Sequence, residues 1–370
     1  MSRSTREREE QAGQLLWIGF AGTSWEAPLE RLIRQVRPGG LILFSRNIET
    51  DRQLRTLTDS LYRSLPVPPF IALDQEGGRV NRLKPILGPT PSCQWLAAQP
   101  RSAAAVRTHA TAMVLALKAL GFNVNFAPVL DLSGPDPRNG IGDRAFGDDP
   151  RVVSELGAIS IRAHLRGGVL PVGKHFPGLG SSRADTHLTL PIIRRSRTLL
   201  LRNDLLPYRK LRTILPMVMV GHAYYPALQG RPAGPATLSS RVVGALLRKR
   251  IGYRGLVLTD DLEMGALDQT ADTVELALAA FAAGSDGLMF CRSEEKILAA
   301  WEGLVRAFES GAIPGPRWQQ SQRRIMSLKR RALLARRRTR FSRGTLARAR
   351  LLLESLEGPS ASGFDPTARA

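Results

Sequence analysis

The chain has 370 residues, of which 43% are apolar and 23% charged, so it can bury a large core. Its modest glycine and proline content and its two cysteines exclude disordered, collagen-like and disulfide-scaffold proteins. The formal net charge of +21 is large, and taken alone it indicates a nucleic-acid or anionic-membrane partner.

Short apolar runs alternate with amphipathic segments after a charged N terminus. The opening MSRSTREREEQ carries charge where a signal peptide needs an apolar stretch. No run approaches the roughly 18 apolar residues of a membrane span, so we expect a cytoplasmic protein without one. The apolar runs predict strands at 15–20, 40–44, 70–74, 123–132, 169–175, 217–222, 255–260 and 286–290. Helices are predicted between them, among others at 103–120, 152–166, 199–211, 239–249 and 273–283.

Eight strands that alternate with helices predict parallel βα units, since such strands are buried on both faces. The fold class predicted is α/β, with a single (β/α)8 TIM-type barrel; an open doubly wound sheet is the alternative. Residues 19–22 lack the glycine spacing of a dinucleotide-binding turn. We assign residues 12–330 to the barrel domain and 331–370 to a basic, partly disordered C-terminal tail.

Most of the positive charge lies in one segment. Residues 317–350 hold 13 Lys and Arg and no Asp or Glu. Apolar residues at helical spacing separate the basic groups and predict a helix docked on the domain, with a solvated basic face. The alternative is a tether for nucleic acid or anionic lipid. No nucleic-acid recognition motif accompanies the segment, so we expect no such partner, although the tail leaves room for weak polyanion binding.

Polar side chains stand where the predicted strands end. In a TIM barrel the functional residues collect at this face, and charges there are costly to desolvate unless they are paired or used. The pattern therefore predicts an enzyme. The strand-end residues are Asp74, Asp131, Lys174, His175, His222, Asp260 and Asp261.

Two adjacent acids, Asp260 and Asp261, end the seventh strand. A carboxylate here can be a nucleophile, a base or a metal ligand, or it can cap the following helix. With two acids, one can cap while the other points into the barrel mouth. We favour Asp260 as the functional one because it ends the apolar run.

A loop rich in Gly and Pro follows the fifth strand and contains Asp185 and His187. Because the two are separated by one residue, the carboxylate can hold the imidazole and set its tautomer, which suits a proton shuttle. The alternative for His187 is an ordinary surface histidine.

The segment from Asp74 to Arg82 packs acids and arginines around a Gly-Gly turn that permits positive φ. Asp74 could accept hydrogen bonds from a sugar diol, and an arginine could donate to a hydroxyl or amide oxygen. Arg144 offers a second arginine of this kind.

Six motifs stand in order along the chain: DQEGGRVNR (74–82), NFAPVLDL (125–132), DRAFGDDP (143–150), GKHFPGLG (173–180), DTHLTLP (185–191) and GLVLTDDLEMGAL (255–267). Taken together, these motifs resemble glycoside hydrolase family 3, and within it the bacterial NagZ-type β-N-acetylhexosaminidase group. The resemblance covers residues 12–330 in order. It implies a TIM-type barrel that cleaves terminal N-acetylglucosamine with retention, from muropeptide fragments in peptidoglycan recycling.

The resemblance assigns roles residue by residue. Asp260 resembles the family's nucleophile, His187 its general acid/base and Asp185 the partner of that histidine. No metal or cofactor is implied. Leu179 and Ser181 depart from the family pattern, which has His and an acidic residue at these positions. The sugar-binding set comprises Asp74, Arg82, Arg144, Lys174 and His175.

Several other functions remain open at this point. A β-glucosidase or β-xylosidase of the same family would use the same machinery. Lys174 at a strand end would suit a Schiff-base aldolase. A barrel that has lost activity would bind sugar alone. The exact aglycone and the choice between water and phosphate as acceptor are also open.

Overall fold

The computed structural model describes residues 3–134, 140–182, 189–267, 271–334 and 338–356. Eight parallel strands close into a barrel and follow one another around it in chain order, as predicted. These strands are β1 Leu16–Ile18, β2 Gly40–Leu43, β3 Phe70–Leu73, β6 Val124–Asn125, β7 Leu170–Phe176, β8 Met217–Val220, β9 Leu256–Asp261 and β10 Gly287–Phe290. A separate hairpin follows β3, formed by β4 Gln75–Gly77 and β5 Val80–Asn81.

Helices surround the barrel and connect its strands. The α-helices are α1 Arg3–Leu15, α2 Ala27–Val36, α3 Asp51–Arg63, α4 Lys84–Leu87, α5 Cys93–Ala97, α6 Ser102–Ala119, α7 Pro150–Gly167, α8 Arg197–Leu199, α9 Leu206–Leu211, α10 Pro226–Gln229, α11 Thr273–Ala283, α12 Glu294–Glu309, α13 Gly315–Lys329 and α14 Arg343–Glu354. Segments Leu200–Asp204, Arg241–Arg250 and Arg330–Leu334 are π-helical, and Ser45–Asn47, Gly142–Arg144 and Ala236–Leu238 are 3₁₀ turns. Within the described ranges, no helix is long and apolar enough to cross a membrane.

The strand β6 is much shorter than the predicted strand 123–132. Pro128 lies in the middle of that apolar run and has no backbone N–H to donate to a neighbouring strand. The carbonyl oxygen of Pro128 still accepts from the backbone N–H of Lys174 at 3.3 Å, and Val129 bridges the same lysine. The apolar pattern therefore located the strand, and the proline explains its interruption.

Large side chains fill the barrel interior. Trp17 stacks on Phe70 with 5.2 Å between ring centroids and lies 6.0 Å from Phe126. Gly40 makes room for the indole, because a Cβ atom there would lie 2.3 Å from Trp17 Cδ2. The barrel is a packed core rather than a pore, so a ligand can enter only at its ends.

The packed part of the chain continues past residue 330, where the predicted barrel domain ends. Helix α14 lies against α6 and buries Leu346, Ala349 and Leu353. We call residues 315–334 and 338–356 the C-terminal strap. These apolar contacts attach the strap to the barrel. The domain boundary at residue 330 and disorder beyond it stay predictions, and residues 335–337 and 357–370 lie outside the described ones.

Acids of the barrel neutralise part of the basic charge on the strap. Asp286 is fully buried, and its Oδ1 atom lies 3.1 Å from Arg324 Nη1 and 3.6 Å from Arg317 Nη1. Arg338 pairs with Asp59. Ion pairs of these arginines therefore attach the strap to the domain. A count of charges in the sequence cannot distinguish such paired groups from groups on a solvated face.

One basic residue of the strap, Lys329, is buried at the amino-terminal end of the barrel. Its Nζ atom donates to Gln14 Oε1 at 2.7 Å and lies 5.2 Å from the centroid of the Phe70 ring. Burial lowers the pKa of Lys329 from 10.5 to about 7. The folded protein therefore holds this proton less tightly than the unfolded chain does, so stability should rise with pH between about 7 and 10.5.

Replacing this lysine should stabilise the protein at low pH. In Lys329→Met at pH 6, the free energy of unfolding should exceed the wild-type value by about 2 kcal/mol, because the relieved cost of a buried charge outweighs one lost hydrogen bond. The advantage should shrink by pH 10, as the wild-type amine is then neutral in the folded state. Urea unfolding at both pH values measures this, with exposed Lys210→Met as the control. A pH-independent difference would contradict the assignment.

Candidate active site

The predicted strand-end residues lie at the carboxyl end of the barrel. Asp74 directly follows β3, Lys174 and His175 belong to β7, and Asp260 and Asp261 end β9. Side chains alternate along a strand, so Leu256, Leu258 and Asp260 share one face of β9. Leu256 and Leu258 are buried in the same core cluster as the barrel-filling aromatics, which places Asp260 above that core.

A buried ionic network occupies the mouth between β3 and β7. Lys174 Nζ lies 2.5 Å from Asp74 Oδ1 and 2.5 Å from Glu76 Oε1. Arg144 holds Glu76 with two bonds, Nε to Oε2 and Nη2 to Oε1, each 2.8 Å long. The structure thus brings together Asp74, Arg144 and Lys174 from the predicted binding set, through a glutamate that the sequence analysis did not select.

The network fixes the charge state of its members. Burial alone would raise the pKa of Glu76, but Arg144 and Lys174 hold it well below its usual value. Burial alone would lower the pKa of Lys174, but Asp74 and Glu76 raise it. The site therefore presents a carboxylate and two permanent cations, a combination that suits hydrogen bonding to sugar hydroxyls.

The loop that carries Arg82 is tied to the barrel at several points. The β4–β5 hairpin turns at Gly77 and Gly78, whose φ angles of 104° and 59° are favourable only for glycine. Gln75 donates through Nε2 to Asn81 Oδ1 at 2.8 Å. Arg82 itself is 1% exposed, and Asp74 and Glu76 oppose the lowering of its pKa by burial. Arg82 is thus held beside the acids of the network.

The His175 ring is oriented by Asp131. Nδ1 of His175 lies 2.7 Å from Asp131 Oδ2, and the backbone N–H of His175 donates to the same oxygen at 3.0 Å. The other oxygen, Oδ1, accepts from the backbone N–H of Leu179 at 2.7 Å. Because Nδ1 faces a carboxylate, it carries the proton, and the ring orientation is fixed for a ligand at Nε2.

The two acids at the end of β9 differ in environment. Asp261 is 3% exposed, and its Oδ1 accepts from the backbone N–H of Glu263 at 3.1 Å. Burial and the nearby Glu263 raise the pKa of Asp261 to about 7. Asp260 is only partly buried, and its Oδ1 accepts from the backbone N–H of Asp261 at 2.9 Å. Of the two, Asp260 is the one that a substrate can reach.

His222 forms a hydrogen bond with the backbone at the end of β9. The side chain is fully buried, with Nε2 2.9 Å from the carbonyl oxygen of Asp261 and Nδ1 2.8 Å from Thr237 Oγ1. A carbonyl only accepts, so Nε2 carries a proton and donates. His222 therefore supports the backbone next to Asp260.

Four further acids and histidines bear on the predicted site, two that were predicted to act there and two that were not. Asp185 and His187 lie outside the described residues. Neither Glu76 nor Asp131 was given a role at the site, although both lie within the motifs of the resemblance and Asp131 was among the strand-end residues. The only indication in the sequence was where these two acids stand along the chain, since their contacts with Arg144, Lys174 and His175 are visible only in the fold. In the described ranges, no three His, Cys, Asp or Glu are grouped to hold a metal ion.

Comparisons of the sequence place the chain among known proteins. A family model described as the Glycosyl hydrolase family 3 N terminal domain matches residues 8–328. A Beta-hexosaminidase from Alkalilimnicola ehrlichii is 39% identical over 296 residues, which cover 78% of this chain and 84% of the relative. A Beta-hexosaminidase from Bordetella pertussis is 37% identical over 284 residues, which cover 75% and 80%.

Solved structures agree with the sequence comparison. A glycoside hydrolase family 3 β-N-acetylglucosaminidase from Paenibacillus sp. str. FPU-7 superimposes with a TM-score of 0.86 at 33% identity, covering 94% of this chain and 68% of that one. A glycosyl hydrolase of the same family from Mycobacterium smegmatis has a TM-score of 0.78 at 33% identity, covering 86% and 96%.

Proposed function

This chain belongs to glycosyl hydrolase family 3, and from that premise we propose that it uses Asp260 to remove terminal β-linked N-acetylglucosamine from a glycoside. It is a β-N-acetylhexosaminidase, and its substrate is a carbohydrate. The observation that carries the proposed chemistry is the accessible carboxylate of Asp260, at the same end of the barrel as a buried set of sugar-compatible charges.

The buried network would bind and orient the terminal sugar. Asp74 would accept hydrogen bonds from a diol, while Lys174, Arg82 and Arg144 would donate to hydroxyl or acetamido oxygens. His175, held by Asp131, would add a bond from its ring. Because these groups already hold one another in place, their side chains would lose little conformational entropy when the sugar binds.

The reaction proposed is a double displacement. Asp260 attacks the anomeric carbon, the bond from that carbon to the leaving oxygen breaks, and His187 gives its proton to this oxygen. Water then attacks the same carbon and gives a proton to His187, and the bond to Asp260 breaks. Two inversions give net retention. The roles of His187 and its partner Asp185 rest on the sequence resemblance alone.

The proposed biological substrate is a muropeptide fragment in peptidoglycan recycling, with the cytoplasm as the compartment. The support is the family resemblance together with the charge of the chain. Such fragments are anionic, and a net charge of +21 would favour their encounter with the protein.

The contacts of Lys174 disfavour the aldolase alternative. A Schiff base requires a neutral amine, whereas Asp74 and Glu76 stabilise the ammonium form of Lys174. The same contacts are well suited to an ammonium that donates hydrogen bonds to a sugar.

A substrate panel tests the proposed function. We expect kcat/KM for an aryl N-acetyl-β-glucosaminide to exceed that for the matching β-glucoside by at least about 100-fold, because a site built to bind the acetamido group rejects a sugar that lacks it. Proton NMR should show the β-anomer of the free sugar first. Equal or faster turnover of the glucoside or xyloside would contradict the proposal. Added phosphate identifies phosphorolysis through formation of a sugar phosphate.

A further inference from the structure

Helix α14 of the C-terminal strap reaches the loop that carries Arg82. It packs on α6 and also contacts α4. From α14, Arg350 donates through Nε and Nη2 to the carbonyl oxygen of Ile86, at 2.9 and 2.5 Å. The strap, which the proposed catalytic motifs do not include, is therefore bonded directly to the β3–α5 connection of the active site.

The bond from Arg350 satisfies a requirement of α4. This helix is a single turn, and the carbonyl groups at a helix end have no partner within the helix. A helix so short is also unstable by itself, so its position depends on what surrounds it. A positive guanidinium at the last turn supplies both a hydrogen-bond donor and a favourable charge.

The position of α4 is in turn linked to Arg82. The backbone N–H of Leu83 donates to Gln75 Oε1 at 3.0 Å, and Asn81 Nδ2 donates to the carbonyl oxygen of Gly88 at 3.0 Å. These bonds connect the turn to the hairpin on both sides of Arg82. A shift of α4 would therefore move Arg82 relative to Asp74.

We propose that Arg350 is a positioning residue for substrate binding. By holding the Ile86 carbonyl, it sets the place of α4 and, through it, of the Arg82 guanidinium that would bind the sugar. This inference rests on the proposed function, because the role of Arg82 in binding belongs to it. Arg350 itself does not touch the substrate.

The test compares Arg350→Ala with Arg348→Ala, since both arginines are exposed and lie two positions apart on the same helix. For the aryl N-acetylglucosaminide, Arg350→Ala should raise KM about fivefold and leave kcat nearly unchanged, because the carbonyl oxygen of Ile86 loses both of its bonds from Arg350 and the effect falls on binding. Arg350→Lys keeps one donor and should recover part of the affinity. The control variant should match the wild type.

Hydrogen–deuterium exchange of residues 83–88 gives a readout that does not depend on turnover. The amides of Ile86, Leu87 and Gly88 are bonded within the turn and should exchange about tenfold faster in Arg350→Ala, as local opening becomes easier. The control variant should exchange like the wild type.

The two readouts separate the possible failures. Unchanged exchange would overturn the inference, and so would faster exchange with an unchanged KM. Absence of turnover in the wild-type protein would instead contradict the proposed function, and the exchange result would then decide alone whether Arg350 holds α4.

Discussion

Asp260→Ala should lower kcat for the aryl N-acetylglucosaminide by about 10⁴-fold or more, because it removes the group that forms the covalent intermediate. KM and the midpoint of thermal unfolding should change little, since Asp260 is partly exposed rather than buried in the core. Azide should restore turnover in this variant by attacking the anomeric carbon directly. One inversion then occurs instead of two, so the product should be the α-glycosyl azide.

The neighbouring acid provides the matched control. Asp261 has a pKa of about 7, so at pH 6 most of it is the neutral acid, which Asn resembles in shape and charge. Asp261→Asn should therefore keep kcat within about tenfold of the wild type. If Asp261→Asn were as inactive as Asp260→Ala, or Asp260→Ala retained near wild-type turnover, the assignment of the nucleophile would be wrong.

Glu76→Gln should destabilise the protein by about 3–5 kcal/mol, because it leaves two buried cations without the carboxylate that both contact. The depressed pKa of Glu76 gives the sign of the pH dependence. Its contribution is fully present above the usual pKa of a glutamate and is lost only as the pH falls toward the depressed value. Urea unfolding at pH 7 measures the difference in the free energy of unfolding, and sugar affinity should fall with it.

An exposed ion pair supplies the control for this change. Glu302 lies 3.4 Å from Arg306 on the surface of α12, with both side chains more than half exposed. Glu302→Gln should change the free energy of unfolding by less than about 0.5 kcal/mol. Equal effects of the two substitutions would mean that the network at Glu76 contributes no more than a surface pair.

Much of the barrel could be predicted because its strands are buried on both faces and appear as continuous apolar runs. The helix Thr273–Ala283 even has the predicted bounds. The predicted elements differ from the observed ones where backbone geometry, rather than the burial of apolar side chains, determines the structure. Pro128 interrupts β6, and the helix predicted at 239–249 is π-helical over Arg241–Arg250. The period of the hydrophobic pattern reveals neither the missing backbone N–H of Pro128 nor the wider turn of a π-helix.

The site was predictable to the extent that function collects at strand ends. That rule selected Asp74, Asp131, Lys174 and His175, but it did not select Glu76. Glu76 contacts Lys174 from almost 100 positions away, and sequence spacing carries no information on such a pair. The predicted docked helix was expected to carry a solvated basic face, but Arg338 and Arg324 pair with Asp59 and Asp286, acids that are remote along the chain.

The order of synthesis gives the C-terminal strap a consequence for biogenesis. Trp318 Nε1 of α13 donates to Gln11 Oε1 of α1 at 2.6 Å, so α1 lacks this bond until α13 has left the ribosome. Arg350 arrives later still. A nascent chain that ends within α12 would contain every barrel strand but would lack this bond to α1 and the bond from Arg350 to α4. The hydrogen bonds that join α13 to α1 and α14 to α4 would therefore form only after all the barrel strands have been synthesised.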